Sequence, residues 1–322
     1  MKTLTINYLS HHRLDSEKYW KITSHFLNLI EKKNLIKVNL LLSKDNNFEN
    51  FLDSDIETEK HICNSYMEKM LISSNSNTPY SFKLDEDIFF SNHLFDKLID
   101  ISTEDSFDGV CWPLISLNTR LTDLFIKSFI DDGEVINNIH KDFLNVYFPK
   151  NLWNQKYSYI KLNKHTLLAN EWNSDRYFNS LKNVKSKFKG IHPVRISYPG
   201  QLSINNYIIK NLSRIFRKYD YKLVEFENIY ITSNAYMMKT EYFKKYLDIK
   251  PYDMFDEVQL NEFINDEKIK SYYIENGFAI HTMFNTVQGK DKVLNNPVSG
   301  RESRLEELYY VDKIWNYLEN AK

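Results

Sequence analysis

Pro79-Tyr80-Ser81-Phe82-Lys83-Leu84-Asp85-Glu86-Asp87-Ile88-Phe89-Phe90 is the stretch from which both the fold and the chemistry of this chain are read. The residues up to Leu84 read as a strand, which delivers three consecutive carboxylates before apolar residues resume. In an extended segment residues i and i+2 point the same way, so Asp85 and Asp87 are expected to approach one ligand together. Hard oxygen donors at that spacing suit Mg²⁺ or Mn²⁺, ions that bridge diphosphate oxygens and neutralise their charge. A solvated acidic turn after a strand would carry the same three residues. What favours a site is the apolar run on either side, because carboxylates wedged between buried segments are costly unless paired or metal-bound.

Working outward, Thr3 to Leu9 reads as a short buried strand, and the polar Ser10-His11-His12-Arg13 turn leads to Asp15 as a helix cap. Tyr19, Ile22, Phe26, Leu29 and Ile30 then recur at helical spacing through Lys33. Leu35 to Leu42 is a second strand, residues 57–71 have helical character, Asn92 to Ile99 is helical, and Gly109 to Ile115 is another strand. Strands alternating with helices over the first 115 residues predict an α/β fold with a mostly parallel sheet covered on both faces. Such sheets bind ligands at the carboxyl ends of their strands, where the acidic triplet lies.

Beyond a helical stretch at Leu121 to Ile130 the pattern loosens as far as Lys222, with Lys182, Lys185, Lys187 and Lys189 forming a basic run. Ile229 to Met238 reads as a return strand, with a helix from Lys239. Asp256-Glu257 opens a helix carried by Val258, Leu260, Phe263 and Ile264, and Phe278 to His281 is a late strand. The carboxyl-terminal helix, Glu302 to Leu318, is expected to turn Leu305, Leu308, Tyr309, Ile314 and Leu318 to one side. No linker separates these segments. The expectation is one domain over 1–322, with a ligand-binding half at 1–115 and a second, partly helical half at 116–322.

Composition sets the outer limits. With 322 residues, 42% hydrophobic and 26% charged, the chain can bury a large core, and its net charge of -1 exerts no general pull on nucleic acid. Two cysteines, Cys63 and Cys111, make neither a disulfide framework nor a zinc cluster, so a reducing compartment is expected. The first residues lack a signal-peptide core and no apolar run reaches a membrane span, which points to the cytoplasm with peripheral contact at the inner face of the membrane. The absence of GxGxxG, P-loop, HExxH and GxSxG patterns removes dehydrogenase, NTPase, zinc-protease and serine-hydrolase chemistry.

Two further constellations carry chemistry. Asp256 and Glu257 stand at a predicted helix start; capping accounts for one carboxylate there, and a second facing the site could act as general base on a hydroxyl. His281, just past a strand and followed by Phe284 and Gln288, is a candidate ligand, although a lone histidine is more often structural. In the centre, Gly190-Ile191-His192-Pro193-Val194-Arg195 forms a turn-and-strand motif in which His192 or Arg195 could touch a second substrate.

Taken in order, Asp85-Glu86-Asp87, Phe255-Asp256-Glu257-Val258-Gln259-Leu260-Asn261 and His281-Thr282-Met283-Phe284 resemble the GT-A glycosyltransferases, the first as their DxD motif. The resemblance implies a Rossmann-like GT-A sheet flanked by helices, a nucleotide-sugar-binding half at 1–115 and an acceptor half at 116–322 with a helical elaboration. It implies Asp87, Asp85 and His281 as ligands of Mn²⁺ or Mg²⁺, with Asp87 the more direct of the carboxylates. Asp85, Ser10, His11 and Arg13 would then lie on the donor nucleotide, Glu257 or Asp256 would serve the acceptor, and His192 and Arg195 would line its path. The activity implied is transfer from a nucleotide-diphosphate sugar, UDP-linked, to a glycan or glycolipid of a bacterial lipopolysaccharide or capsule. An available carboxylate base favours inversion. No QxxRW or HxxGxxKPW pattern is present, which argues against a processive synthase and leaves the stereochemistry open. A sugar nucleotidyltransferase and a non-catalytic carbohydrate-binding protein are the competing expectations; the Gly-rich basic loop of the former is missing.

Overall fold

The computed structural model describes residues 1–10, 16–43, 49–104, 106–117, 120–136, 198–226, 231, 233–248, 256–282 and 300–320. The chain divides into two compact units, the first made of Met1–Pro113, Ser213–Asn228 and Ser233–Ile280, the second of Leu114–Leu212, Ile229–Thr232 and His281–Lys322.

The first unit is α/β. Strand β1 (Leu4–Leu9) is buried along its whole length, as a strand covered on both faces must be, and helix α1 (Ser16–Asn28) leads to β2 (Ile36–Leu42). β3 (Glu57–Ile62) and α2 (Tyr66–Ser74) follow, where the sequence suggested one helical stretch over 57–71. The physical reason is edge position: Glu57-Thr58-Glu59-Lys60-His61-Ile62 is too polar to bury, but it can pair through one side with β2 and face solvent with charged side chains. Ser65 then caps α2 by accepting from the Glu68 amide, and the Glu68 carboxylate reaches back to the Asn64 amide at 2.7 Å.

β4 (Tyr80–Asp85), β5 (Ile88–Phe89), α3 (Asn92–Thr103) and β6 (Gly109–Ile115) continue the unit. After α4 (Arg120–Phe129), α5 (Tyr198–Lys210) and α6 (Leu212–Phe216) come β7 (Lys222–Phe226), which the sequence pattern did not suggest, β8 (Ala235–Lys239), α7 (Thr240–Asp248) and α8 (Asp256–Asp266). β9 (Lys270–His281) is longer than the apolar run at its end, because its first half is only partly buried and pairs with β7.

Among the described residues the nine strands form one mixed sheet in the order β3-β2-β1-β4-β8-β6-β9-β5, with β7 on β9. β3, β2, β1 and β4 are parallel, and β8 runs against both β4 and β6. β6 and β9 begin side by side: a Cβ on Gly109 would lie 2.8 Å from the Lys270 carbonyl oxygen and 2.7 Å from the Tyr272 ring, so only glycine fits there. They also end together, the His281 amide donating to Ser116 Oγ at 3.0 Å, so they run parallel. Of the eight strands other than β5, six thus share one direction and β7 and β8 oppose it.

The chain leaves β1 for β2 and β3 on one side and returns to β4 on the other, so the strand order reverses between β1 and β4; open α/β sheets bind ligands at the carboxyl ends of strands at such a reversal. Helices α1 and α3 pack together, as do α2 and α7.

In the second unit, α9 (Gly300–Asn320) packs on α5, with Tyr310 Oη donating to Asn206 Oδ1 at 2.8 Å. The buried stripe of α9 is Glu307, Tyr310, Val311, Ile314 and Leu318, whereas Leu305 and Tyr309 are exposed. The expected apolar face is therefore rotated, because adjacent Tyr309 and Tyr310 allow two registers and burial selects Tyr310. Among the described residues no helix is long and apolar enough to cross a membrane.

Candidate active site

β4 sets Ser81, Lys83 and Asp85 on one face by its alternation, and Phe82 on the other. Phe82 packs with Phe90 and Phe95 at ring separations of 5.8 and 6.4 Å, so the acidic turn is clamped by buried aromatic rings before and after it. The strand ends at Asp85, and Glu86 and Asp87 form a turn into β5. Asp85 and Asp87 are thus not i and i+2 of one strand, as the sequence suggested. The side chain that shares Asp85's face is Lys83, whose ammonium donates to Asp85 Oδ1 at 2.6 Å and to the Ser233 carbonyl at 2.5 Å. The turn is tied to both neighbours, by the Asp85 amide to the Asn234 carbonyl at 2.9 Å and by the Glu86 amide to the Leu9 carbonyl at 3.1 Å.

Ser10, the residue after β1, is wholly buried, and all its polar groups are engaged. Its amide donates to the Leu41 carbonyl at 3.0 Å and its hydroxyl to Glu86 Oε2 at 2.8 Å. Its carbonyl accepts from Ser43 Oγ at 3.1 Å and from the Lys69 ammonium. Lys69, on the inner face of α2, also donates to Ser43 Oγ at 2.5 Å. Burial pushes the Lys69 ammonium below the usual lysine range, and the charges of Cys63, Glu86 and Asp85 oppose that shift.

Lys69, Lys83, Asp85, Glu86 and Asp87 are all buried at one end of the sheet. Withdrawing an ion from water costs several kcal/mol even after relaxation, roughly the scale of a domain's whole stability margin if repeated over several groups. Such a cluster is poor economy for folding alone and apt for binding a charged ligand.

His281 ends β9 and is 2% exposed. Its Nδ1 lies 2.7 Å from the Leu117 carbonyl oxygen, which can only accept, so Nδ1 carries a proton there. A backbone carbonyl behind one ring nitrogen is the support that a metal-ligating histidine ordinarily has. Asp256 and Glu257 begin α8, as the sequence suggested, with side chains outside the described residues. His11, Arg13, His192 and Arg195 lie outside them altogether.

The structure thus brings together Ser10 and the acidic triplet in the first unit, whereas His281 belongs to the second. Among the described residues no three His, Cys, Asp or Glu side chains gather into a ready-made metal cage. Mg²⁺ is commonly held by one or two carboxylates, with substrate phosphates completing its shell, and Asp85 and Asp87 fit that donor set.

No protein-family model and no curated protein matches the chain.

Sequence reasoning overlooked Lys69, Lys83, Ser43 and the inward role of Glu86. The available signals were a lysine inside an apolar strand two residues before Asp85, and an α2 inner face of Lys69, Met70, Ser73 and Ser74, too polar for ordinary core.

Proposed function

We propose that this chain is a metal-dependent glycosyltransferase of the GT-A type, moving a sugar from a nucleotide-diphosphate donor, UDP-linked, to a glycan or glycolipid acceptor of a bacterial surface polysaccharide. The observation that carries the reading is the acidic turn at the carboxyl end of β4, bonded through Glu86 to Ser10 at the end of β1, where the strand order reverses. A Mn²⁺ or Mg²⁺ ion, when bound, would offset the charge that grows on the diphosphate as the sugar departs. Asp87 and Asp85 would hold it, with His281 as third ligand through Nε2. Asp87 would be the more direct ligand of the two. His11 and Arg13, following Ser10, would face the nucleotide, and His192 and Arg195 the acceptor. Glu257 or Asp256 would take the proton from the acceptor hydroxyl as its oxygen bonds the anomeric carbon. The bond from that carbon to the diphosphate breaks in the same step, and the nucleoside diphosphate leaves with the electron pair. A single displacement of this kind inverts the anomeric centre.

The test is turnover of a panel of UDP-sugars with Mn²⁺, against a parallel panel of nucleoside triphosphates with sugar phosphates. Sugar release or transfer is expected, with Asp87→Ala lowering it by about a hundredfold or more in a folded protein. Full activity in Asp87→Ala would remove the metal assignment, and pyrophosphate release from a triphosphate would make the chain a nucleotidyltransferase. Glycan binding without turnover or metal-dependent nucleotide binding would make it a carbohydrate-binding protein.

A further inference from the structure

The carbonyl of Ser10 sits in a triangle of polar groups. Lys69 donates to it and to Ser43 Oγ, and Ser43 Oγ donates to it as well, at 3.1 Å. Ser10 directly follows β1, and Ser43 directly follows β2. One ammonium from α2 thus joins the ends of two neighbouring strands at the carboxyl edge of the sheet. The linkage continues, because Ser10 Oγ donates to Glu86 at 2.8 Å and the Glu86 amide is bonded to the Leu9 carbonyl at 3.1 Å. Lys69 is therefore two hydrogen bonds from the middle carboxylate of the acidic turn.

An ammonium buried to 2% exposure is an expensive way to join two strand ends that β1–β2 pairing already holds in register from Leu4↔Ile36 to Leu9↔Leu41. A serine or an apolar residue on α2 would serve packing at lower cost. What the ammonium adds is direction, since it fixes the carbonyl of the same residue whose Oγ donates to Glu86.

We propose that Lys69 is a positioning residue for the donor site, acting through Ser10 and Glu86 to fix the acidic turn. This rests on the nucleotide-sugar reading of the same site.

The experiment compares wild type with Lys69→Met, which keeps length and bulk, Lys69→Arg, which keeps charge, and Ser43→Ala, which removes one corner of the triangle. Hydrogen exchange at the Ser10 and Glu86 amides, which needs no activity, should quicken by about tenfold or more in Lys69→Met, while α3 amides keep their protection. KM for the UDP-sugar should rise by about tenfold with kcat changed far less, Lys69→Arg should recover part of it, and Ser43→Ala should move the same way more weakly. Unchanged exchange at Ser10 and Glu86, or an unchanged KM beside a lowered melting temperature, overturns the positioning role. Should Lys69→Met fail to fold, Ser43→Ala decides by the same two readouts. If wild type turns over no UDP-sugar, the transferase reading fails, and exchange alone decides whether Lys69 holds the turn.

Discussion

Lys37–Glu59 on the β2–β3 edge and Lys83–Asp85 on β4 are ion pairs with the same 2.6 Å separation, yet their side chains are 14% and 50% exposed in the first and 1% and 12% in the second. At the edge, water solvates Glu59 whether or not the two meet, so the pair keeps a charged strand soluble and contributes little else. On β4 both partners are buried, and each charge offsets the burial of the other. Equal distances thus conceal unequal roles: one pair guards an edge, and the other sets up a buried field at the end of the sheet.

Removing one partner from each pair should separate them most sharply. Lys83→Met leaves Asp85 buried without its ammonium and the Ser233 carbonyl without its donor, and unfolding in urea is expected to show a loss of about 3–5 kcal/mol. The double variant Lys83→Met/Asp85→Asn removes both charges and should recover much of that loss. If the double variant is no more stable than Lys83→Met, the two groups are not coupled and the contrast with the edge fails.

A smaller effect should come from Lys69, whose proton is held less tightly in the folded chain than in the unfolded one. Burial is the main cause, so its folded pKa lies below the ordinary 10.5. Between the two values the unfolded state binds more protons, and folding stability therefore climbs as pH rises toward 10.5. Other lysines and tyrosines titrate nearby, so the useful quantity is the stability of wild type minus that of Lys69→Met, followed from neutral pH upward. It should increase over that window; a flat difference would mean that Lys69 is as well solvated as the lysines of the edge.

How much of this was legible in the residues follows from what each signal depends on. β1, β2, β4 and β6 announced themselves because they are buried on both faces and so read as apolar runs, and the acidic turn stood out as their interruption. β3 did not, because an edge strand is defined by the neighbour it pairs with and its own residues are those of a solvated helix. The pairing of Lys83 with Asp85 was within reach, since strand alternation alone puts i and i+2 on one face. The sequence nonetheless directed attention to Asp87, which belongs to a turn that ends the alternation. Lys69 was out of reach: its acceptors are 59 and 26 residues away, brought to it only by the order of β1 and β2 over α2.

The smallest effect belongs to the edge pair. The hydrogen bond from Lys37 holds the Glu59 carboxyl below its ordinary 4.5, with help from the charges of Lys37 and His61 and against a desolvation cost. A depressed folded pKa means that this contribution is present above 4.5 and is lost as pH falls through the lower, folded value. Glu59 is half exposed, so solvent screens the pair, and Glu59→Gln should cost only about 0.2–1 kcal/mol in urea at low salt. At about 1 M salt, where charges are screened over roughly 3 Å, even that difference should vanish, whereas the loss in Lys83→Met should persist because no ion reaches it. A Glu59→Gln cost as large as that of Lys83→Met, or one that survives high salt, would show that β3 depends on its charges for more than solubility and would erase the distinction between edge and interior.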